Sequence, residues 1–330
     1  MRSSPEFELI AAIRDRLGSP AGGRLRVGIG DDAAVTVPGG ATATTIDAVV
    51  DGVHFRRRDA PPEAIGRKAL AAALSDLAAM GAEPGEAYVW LGRPEDLGRD
   101  EILAICDGLA AAAREAGVVV AGGDLTGSPV LALTVAAVGH ADAPGSFVGR
   151  AGAQAGDAVC VTGALGGAAA GLMLLENPRL GEGLDPGLAD GLRRRQLAPS
   201  PRLAAGRALA AGGASAMIDL SDGLGADTEH LAVASRVGVE IEMERVPLAP
   251  GVAELAAGAG RDRFELAVGG EDYELLCAVP RSRLAAATGG VEAAGGTLTE
   301  IGVAVDVPGV RLRLRGGRSL PVDGHDHLRR

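Results

Sequence analysis

A mixed α/β (α+β) chain of two domains is the fold class the sequence predicts. Three observations carry it. Short β-type runs mix with helical stretches in both halves of the chain. At 330 residues the chain exceeds a single small core. Hydrophobic residues make up 47% but aromatics only 2%, so an ample core must be built from Ala, Val, Leu and Ile.

The elements follow in order. Phe7, Ile10, Ile13 and Leu17 recur at helical spacing over 5–17, with Ser4 as a candidate cap, Pro5 suited to the first turn and Gly18 as a stop. β signals follow at 24–28, 42–50, 86–91, 118–121 and 130–139, with helical stretches near 61–80 and 99–116 between them. Residues 139–156, with Pro144 and repeated glycines, read as connecting chain. This places an N-terminal domain at 1–140, a linker at 141–149 and a C-terminal domain at 150–330. The second run opens with a strand at 157–162 and a Gly/Ala-rich helix from Gly163. Helices near 202–211 and 223–236 and strands at 216–220, 239–243, 274–279, 298–303 and 310–314 complete it.

Net charge is −11, which argues against a nucleic-acid binder, because a phosphate backbone demands a basic face. Lys68 is the only lysine, and no Gly-x-x-x-x-Gly-Lys-[Ser/Thr] surrounds it, so a P-loop is excluded. Cys106, Cys160 and Cys277 are far apart and read as core residues in a reducing compartment. No apolar run reaches the roughly 18 residues of a membrane span, and a cytoplasmic location is expected.

The chemistry lies in the carboxylates. Asp31, Asp32, Asp47, Asp51, Asp76, Asp124, Asp219, Asp222, Glu271 and Asp272 sit in Gly-rich or apolar surroundings, mostly where strands meet loops or loops meet helices. Acids in dry places repel one another unless a cation joins them, and oxygen ligands favour Mg²⁺. Asp76 is the strongest single case: between Ala69 and Ala82 it is the only charged residue of a helical stretch, flanked by Ala72, Ala73, Ala79 and Met80. Its bland reading is partial exposure on a poorly packed alanine helix.

Other clusters have plainer alternatives. Gly28-Ile29-Gly30-Asp31-Asp32 follows a strand and suits a turn; a dinucleotide loop is a poor alternative, because two aspartates would face the pyrophosphate. Asp47 ends a strand, and Asp51 and His54 follow it. Asp124 leaves a buried strand in an acidic turn. Asp219-Leu220-Ser221-Asp222 also leaves a strand, and Ser221 or Asp222 could serve only as a helix cap. The turn from Thr162 to Gly167 could cradle a phosphate or merely permit packing. No Ser-His-Asp or Cys-His nucleophile motif is evident.

Together, the segments GIGDDAAV (28–35), IDAVVDGVHF (46–55), LSDLAAMGAEP (74–84), GGDLT (122–126), RAGAQAGDAVCVTG (150–163), IDLSDGL (218–224), GGEDYELL (269–276) and GHDH (324–327) resemble the thiamine-monophosphate kinase family of the aminoimidazole-ribotide-synthetase superfamily. The resemblance spans nearly the whole chain. It implies a two-domain synthetase-like fold with an N-terminal ATP/Mg-binding domain that dimerises through a β-barrel, and a C-terminal α/β domain. It implies ATP-dependent phosphorylation of thiamine monophosphate by a homodimer, with several Mg²⁺ ions. By the same resemblance Asp32, Thr45, Ile46, Asp47, Asp76, Asp124, Asp219 and Asp222 form the metal shell. Gly123, Asp124, Arg150 and Ser221 contact ATP, and His54, Glu271 and the position of Val322 contact the substrate.

Three positions depart from the family pattern. Ile46 replaces a usual threonine and could offer only its carbonyl, Gly167 stands where an acid is common, and Val322 stands where an aromatic is usual near the thiamine rings. The implied reaction is direct in-line transfer without a phospho-enzyme. Rival readings are another ATP-using enzyme of the superfamily and a non-catalytic Mg-nucleotide-binding regulator, which Val322 favours. A selenophosphate-forming enzyme would want a reactive cysteine near the N-terminus, and the first here is Cys106. A hydrogenase-maturation relative would want a C-terminal cysteine, and the sequence ends His327-Leu328-Arg329-Arg330.

Overall fold

A computed structural model of the chain describes residues 5–18, 24–29, 33–37 and 39–322. It divides into two compact units, one of Met1–Leu77 with Ala82–Pro144, the other of Ala78–Gly81 with Gly145–Arg330. Asp31, Asp32 and the GHDH segment lie outside the described residues.

The first unit comprises α1 (Pro5–Leu17), β1 (Leu25–Val27), β2 (Val35–Thr36), β3 (Ala41–Val50), α2 (Pro62–Ala79), β4 (Glu83–Arg93), α3 (Arg99–Ala116), β5 (Val119–Gly127) and β6 (Ala132–Ala141), the last residues of α2 belonging to the second unit. α2 is buried almost all round from Ala69 to Leu77, as its small apolar sequence allows. α3 starts where the Glu101 carboxylate accepts from the Gly98 amide at 3.2 Å and stops at Gly117, which takes φ +70°. Its four-stranded sheet runs β3-β6-β4-β5; only the β4–β5 pair is parallel. The registers align Asp47 with Val135, Val135 with Val89 and Val89 with Gly123, which ranks both edge strands along one row.

The second unit comprises β7 (Ala158–Thr162), α4 (Gly167–Glu176), α5 (Pro186–Leu197), α6 (Leu203–Gly212), β8 (Ala216–Asp219), α7 (Leu224–Ser235), β9 (Gly238–Glu242), α8 (Val252–Gly258), α9 (Arg263–Ala267), β10 (Leu275–Val279), α10 (Leu284–Ala293), β11 (Leu298–Val305), β12 (Gly309–Arg313) and β13 (Ser319–Leu320). Its sheet runs β13-β12-β9-β11-β7-β10-β8. β7, β8 and β10 are buried along their whole length, which explains their continuous apolar runs in place of alternation. Val159, Val161, Ile218, Leu276, Ile301 and Leu312 share one core, while α4, α5, α8 and α9 close a second around Leu174, Leu192, Leu255 and Leu266.

Several expectations are revised. Asp124 does not leave its strand in a turn: β5 continues through Gly122 and Gly123 to Gly127, with Asp124 opposite Trp90. The glycines read as breakers, yet a Cβ on Gly123 would overlap the Val89 carbonyl, so close strand pairing requires glycine there. The Gly-rich helix begins at Gly167, four residues later than expected. α5, α8, α9 and α10 carry weak apolar patterns and were not anticipated. The three cysteines are buried, and burial pushes the Cys106 thiol up to about 12, so it stays an inert core group.

Candidate active site

The acidic residues of the first unit fall at two places. On β3, Thr45 and Asp47 share a strand face, and the Ile46 side chain between them points the other way, 71% exposed. The Thr45 hydroxyl donates to the Asp76 carboxylate, so β3 and α2 are tied by a polar contact within the apolar second half of that helix. Asp76 is half-buried, neither isolated in the core nor freely solvated. The Asp47 carboxylate accepts from the Ala48 amide at 2.7 Å.

Asp124 is exposed on β5 and accepts from the Thr126 hydroxyl at 2.6 Å. Three strand spacings separate β3 from β5, about 14 Å along the sheet. Asp124 therefore forms a second acidic point and does not join the Thr45–Asp76 pair directly.

The loop after β3 is held from inside. Lys68 is 2% exposed, and its ammonium donates to the His54 carbonyl at 2.8 Å. The His54 ring accepts from the Val50 amide at Nδ1, 3.1 Å away, so Nε2 carries the N–H. Asp51 accepts from the Arg57 amide at 3.1 Å and serves that loop.

In the second unit two motifs distant in sequence meet backbone to backbone. Glu271 donates its amide to the Ser221 carbonyl at 2.8 Å and Tyr273 to Leu220 at 2.9 Å, while Leu220 donates to the Glu274 carbonyl at 2.8 Å. IDLSDG and GGEDYE therefore run together as one ledge. Gly223, at φ +112°, has no room for a Cβ beside the Val268 carbonyl. Glu271 and Tyr273 hold left-handed backbone, at φ +66° and +50°, which costs non-glycine residues on the order of 1 kcal/mol or more each.

The side chains of this ledge are separately anchored. Gln196, 4% exposed, donates to the Glu271 carboxylate at 2.6 Å. Glu274, fully buried, accepts from the Thr162 hydroxyl at 2.8 Å and from Arg202 at 2.7 and 2.5 Å. Asp272 accepts from the Gly166 and Ala168 amides at 2.6 and 3.0 Å and so occupies the start of α4. A carboxylate of the chain thus takes two of the amides at the end of this turn and the start of α4. Burial raises the Asp272 carboxyl to about 7.

Asp219 ends β8 at 3% exposure, and Asp222 is half-buried three residues on. Neither Ser221 nor Asp222 caps α7. Asp227 reaches back instead, one oxygen accepting from the Asp222 amide at 3.1 Å and the Gly223 amide at 3.0 Å. Burial, and then the charges of Asp219 and Asp222, push the Asp227 carboxyl up to about 8. That shift registers the negative field of neighbouring carboxylates, and the ligand atoms that meet there are carboxylate oxygens of Asp222 and Asp227 with the His230 ring beside them. Such a set fits a hard divalent cation. Arg150 is exposed, with its carbonyl accepting from Ser235 at 3.0 Å. Val322 packs against the main core of its unit.

Asp227, Asp272, Gln196 and Arg202 were not singled out by role from sequence. For Asp227 a signal existed: an acid in the first turn of a helix is placed to reach back to the preceding amides. Gln196 and Arg202 carried none, because their partners lie 75 and 72 residues away.

Two family models match the chain: AIR synthase related protein, N-terminal domain, over residues 30–141, and AIR synthase related protein, C-terminal domain, over 154–315. The thiamine-monophosphate kinases of Salmonella typhimurium LT2 and Escherichia coli K12 are each 38% identical, covering 98% of this chain and 98% of their own. Among solved structures, thiamine-monophosphate kinase from Stenotrophomonas maltophilia K279a superposes with a TM-score of 0.83 at 36% identity, over 95% of this chain and 97% of that one. AaThiL complexed with AMPPCP and TMP gives 0.78 at 34% identity, over 99% of both chains. The hydrogenase maturation protein HypE in complex with ATP, at 21% identity and a TM-score of 0.79 over 99% of this chain and 96% of that one, shares the fold.

Proposed function

This chain belongs to the thiamine-monophosphate kinase family of AIR synthase related proteins, and we propose that it transfers the γ-phosphoryl group of ATP to thiamine monophosphate, forming thiamine diphosphate. The observation that carries this reading is the alignment of AaThiL complexed with AMPPCP and TMP over 99% of the chain.

In the first unit Asp32, Thr45, the Ile46 carbonyl, Asp47, Asp76 and Asp124 would be Mg²⁺ ligands, and in the second Asp219 and Asp222 would be. The exposed outward side chain of Ile46 suits that role, since only its backbone is needed. When bound, Mg²⁺ offsets the charge that builds on the transferring phosphoryl group. The chain's own groups do the rest. Arg150, free to extend into solvent, takes an ATP phosphate as a bidentate donor. Gly123 in the first unit and Ser221 in the second are each assigned a nucleotide contact. The His54 N–H at Nε2 donates toward the acceptor phosphate, and Glu271, fixed by Gln196, faces the cationic thiamine.

No side chain is assigned as a general base. The acceptor phosphate has a second pKa of about 6, so its attacking oxygen is already largely anionic at neutral pH. Direct in-line transfer follows.

A homodimer in the cytoplasm completes the proposal. β3 is an edge strand that keeps Ile46 exposed, which suits pairing with a second copy into the expected barrel. No helix among the described residues is long and apolar enough to cross a membrane. Light scattering during size-exclusion chromatography tests the dimer.

The decisive assay combines purified protein, Mg²⁺, ATP and thiamine monophosphate and follows thiamine diphosphate directly. Nucleotide binding without product would favour a regulator, the reading that Val322 supports by packing into the core where an aromatic is expected. Product from free thiamine would move the acceptor from a phosphate to a hydroxyl.

A further inference from the structure

We infer that Asp227 is a positioning residue: its buried carboxylate fastens the turn that presents Asp219, Ser221 and Asp222, and so sets the spacing of the acidic groups proposed to hold the divalent cation. The inference rests on the proposed reaction for its catalytic readout, but not for its binding readout.

Three observations carry it. Asp227 is 2% exposed, so its carboxylate is fixed by the groups packed against it. One of its oxygens accepts from two consecutive amides, those of Asp222 and Gly223, and consecutive amides fixed on one acceptor leave the peptide between them little freedom to rotate. That peptide joins Asp222 to Gly223, whose φ of +112° is open to few residues. The turn is therefore defined at its far end by a side chain of α7, as it is at its near end by the pairing of Leu220 with Glu274.

A helix cap alone would be met by Ser, Thr, Asp or Asn at the position before the helix. Here that position is Gly223 and the acceptor comes from inside the helix, where it also spans the amide of the proposed ligand Asp222. The three groups Asp222, Asp227 and His230 approach one another closely enough to suggest a cation site of their own. The two amides already directed at one oxygen of Asp227 argue for the supporting role.

The test compares Asp227→Asn, Asp227→Glu and Asp227→Ala in the full chain. Asn keeps a carbonyl oxygen where both amides need it and removes the acid; Glu keeps the acid and displaces the oxygen. Mn²⁺ binding, followed by electron paramagnetic resonance without substrates, should stay within about threefold of wild type in the Asn variant. It should weaken tenfold or more in the Glu and Ala variants, with a matching rise in the Mg²⁺ concentration needed for half-maximal turnover. Wild-type Mn²⁺ affinity in a folded Glu or Ala variant overturns the inference, as does an Asn variant as impaired as Glu. If Ala does not fold, the Asn–Glu contrast decides alone. Absence of thiamine diphosphate from the wild type would refute the proposed reaction while leaving the Mn²⁺ comparison intact.

Discussion

Replacing Arg202 by alanine should destabilise the second unit more than any surface ion pair would lead one to expect. Glu274 has no exposed surface, and three donor contacts hold its carboxylate: Arg202 Nε at 2.7 Å, a terminal Arg202 nitrogen at 2.5 Å and the Thr162 hydroxyl at 2.8 Å. Alanine removes two of the three together with the paired guanidinium charge. Stranding one partner of a buried ion pair costs about 3–5 kcal/mol. The Arg202 side chain is itself 35% exposed, so water can enter once it is cut back, and the lower end of the range applies. For a unit of this size each kcal/mol shifts the melting temperature by about 2–4 °C, so a fall of roughly 6–12 °C is expected.

Scanning calorimetry resolves the transition of the second unit. Adding Glu274→Gln to the Arg202→Ala chain should recover at least half of the loss, because the stranded charge is gone. A single variant melting within about 2 °C of wild type, or a double variant no better than the single, would refute the reasoning. Turnover should fall as well, because the Glu274 carbonyl holds Leu220 and with it the Asp219–Asp222 turn.

Other expectations follow from the same geometry. Asp76→Asn, Asp124→Asn and Asp222→Asn should each lower turnover at saturating Mg²⁺ by about a hundredfold or more while far-ultraviolet circular dichroism is unchanged; near-normal rates in all three would sink the metal-shell assignment. Gly123→Ala forces a Cβ against the Val89 carbonyl and should cost about 1–3 kcal/mol in urea unfolding. Asp272, raised to about 7 by burial, binds its proton more tightly folded than unfolded, so its contribution to stability is full below about pH 4 and falls as pH rises toward 7. Asp272→Asn should therefore flatten the stability profile between pH 4 and 7, and an unchanged slope there would contradict the assignment.

Much of the fold was legible because its patterns are local. α1, α2 and α3 follow as helical stretches, with Gly18 as a readable stop, and the buried strands β7, β8 and β10 follow from short β-type runs. α5 and α8–α10 were not, since their short, Gly- and Ala-rich or charged sequences acquire a defined apolar face only when packed. Gly122 and Gly123 misled for a related reason. Glycine signals a turn by itself but serves close strand pairing when a neighbouring carbonyl lies against it.

The sequence by itself determined the acidic inventory, the family and the two-part αβ organisation, because residue types, their spacing and local periodicity are properties of the chain alone. Only the tertiary structure decided what each acid does. It separates Asp76, tied to Thr45 across β3 and α2, from Asp124 on the opposite edge strand. It turns Asp272 into the partner of α4's first amides and Asp227 into the clasp of the Asp219–Asp222 turn. A carboxylate's role depends on which donors reach it and how much water is excluded, and both are set by segments far away along the chain.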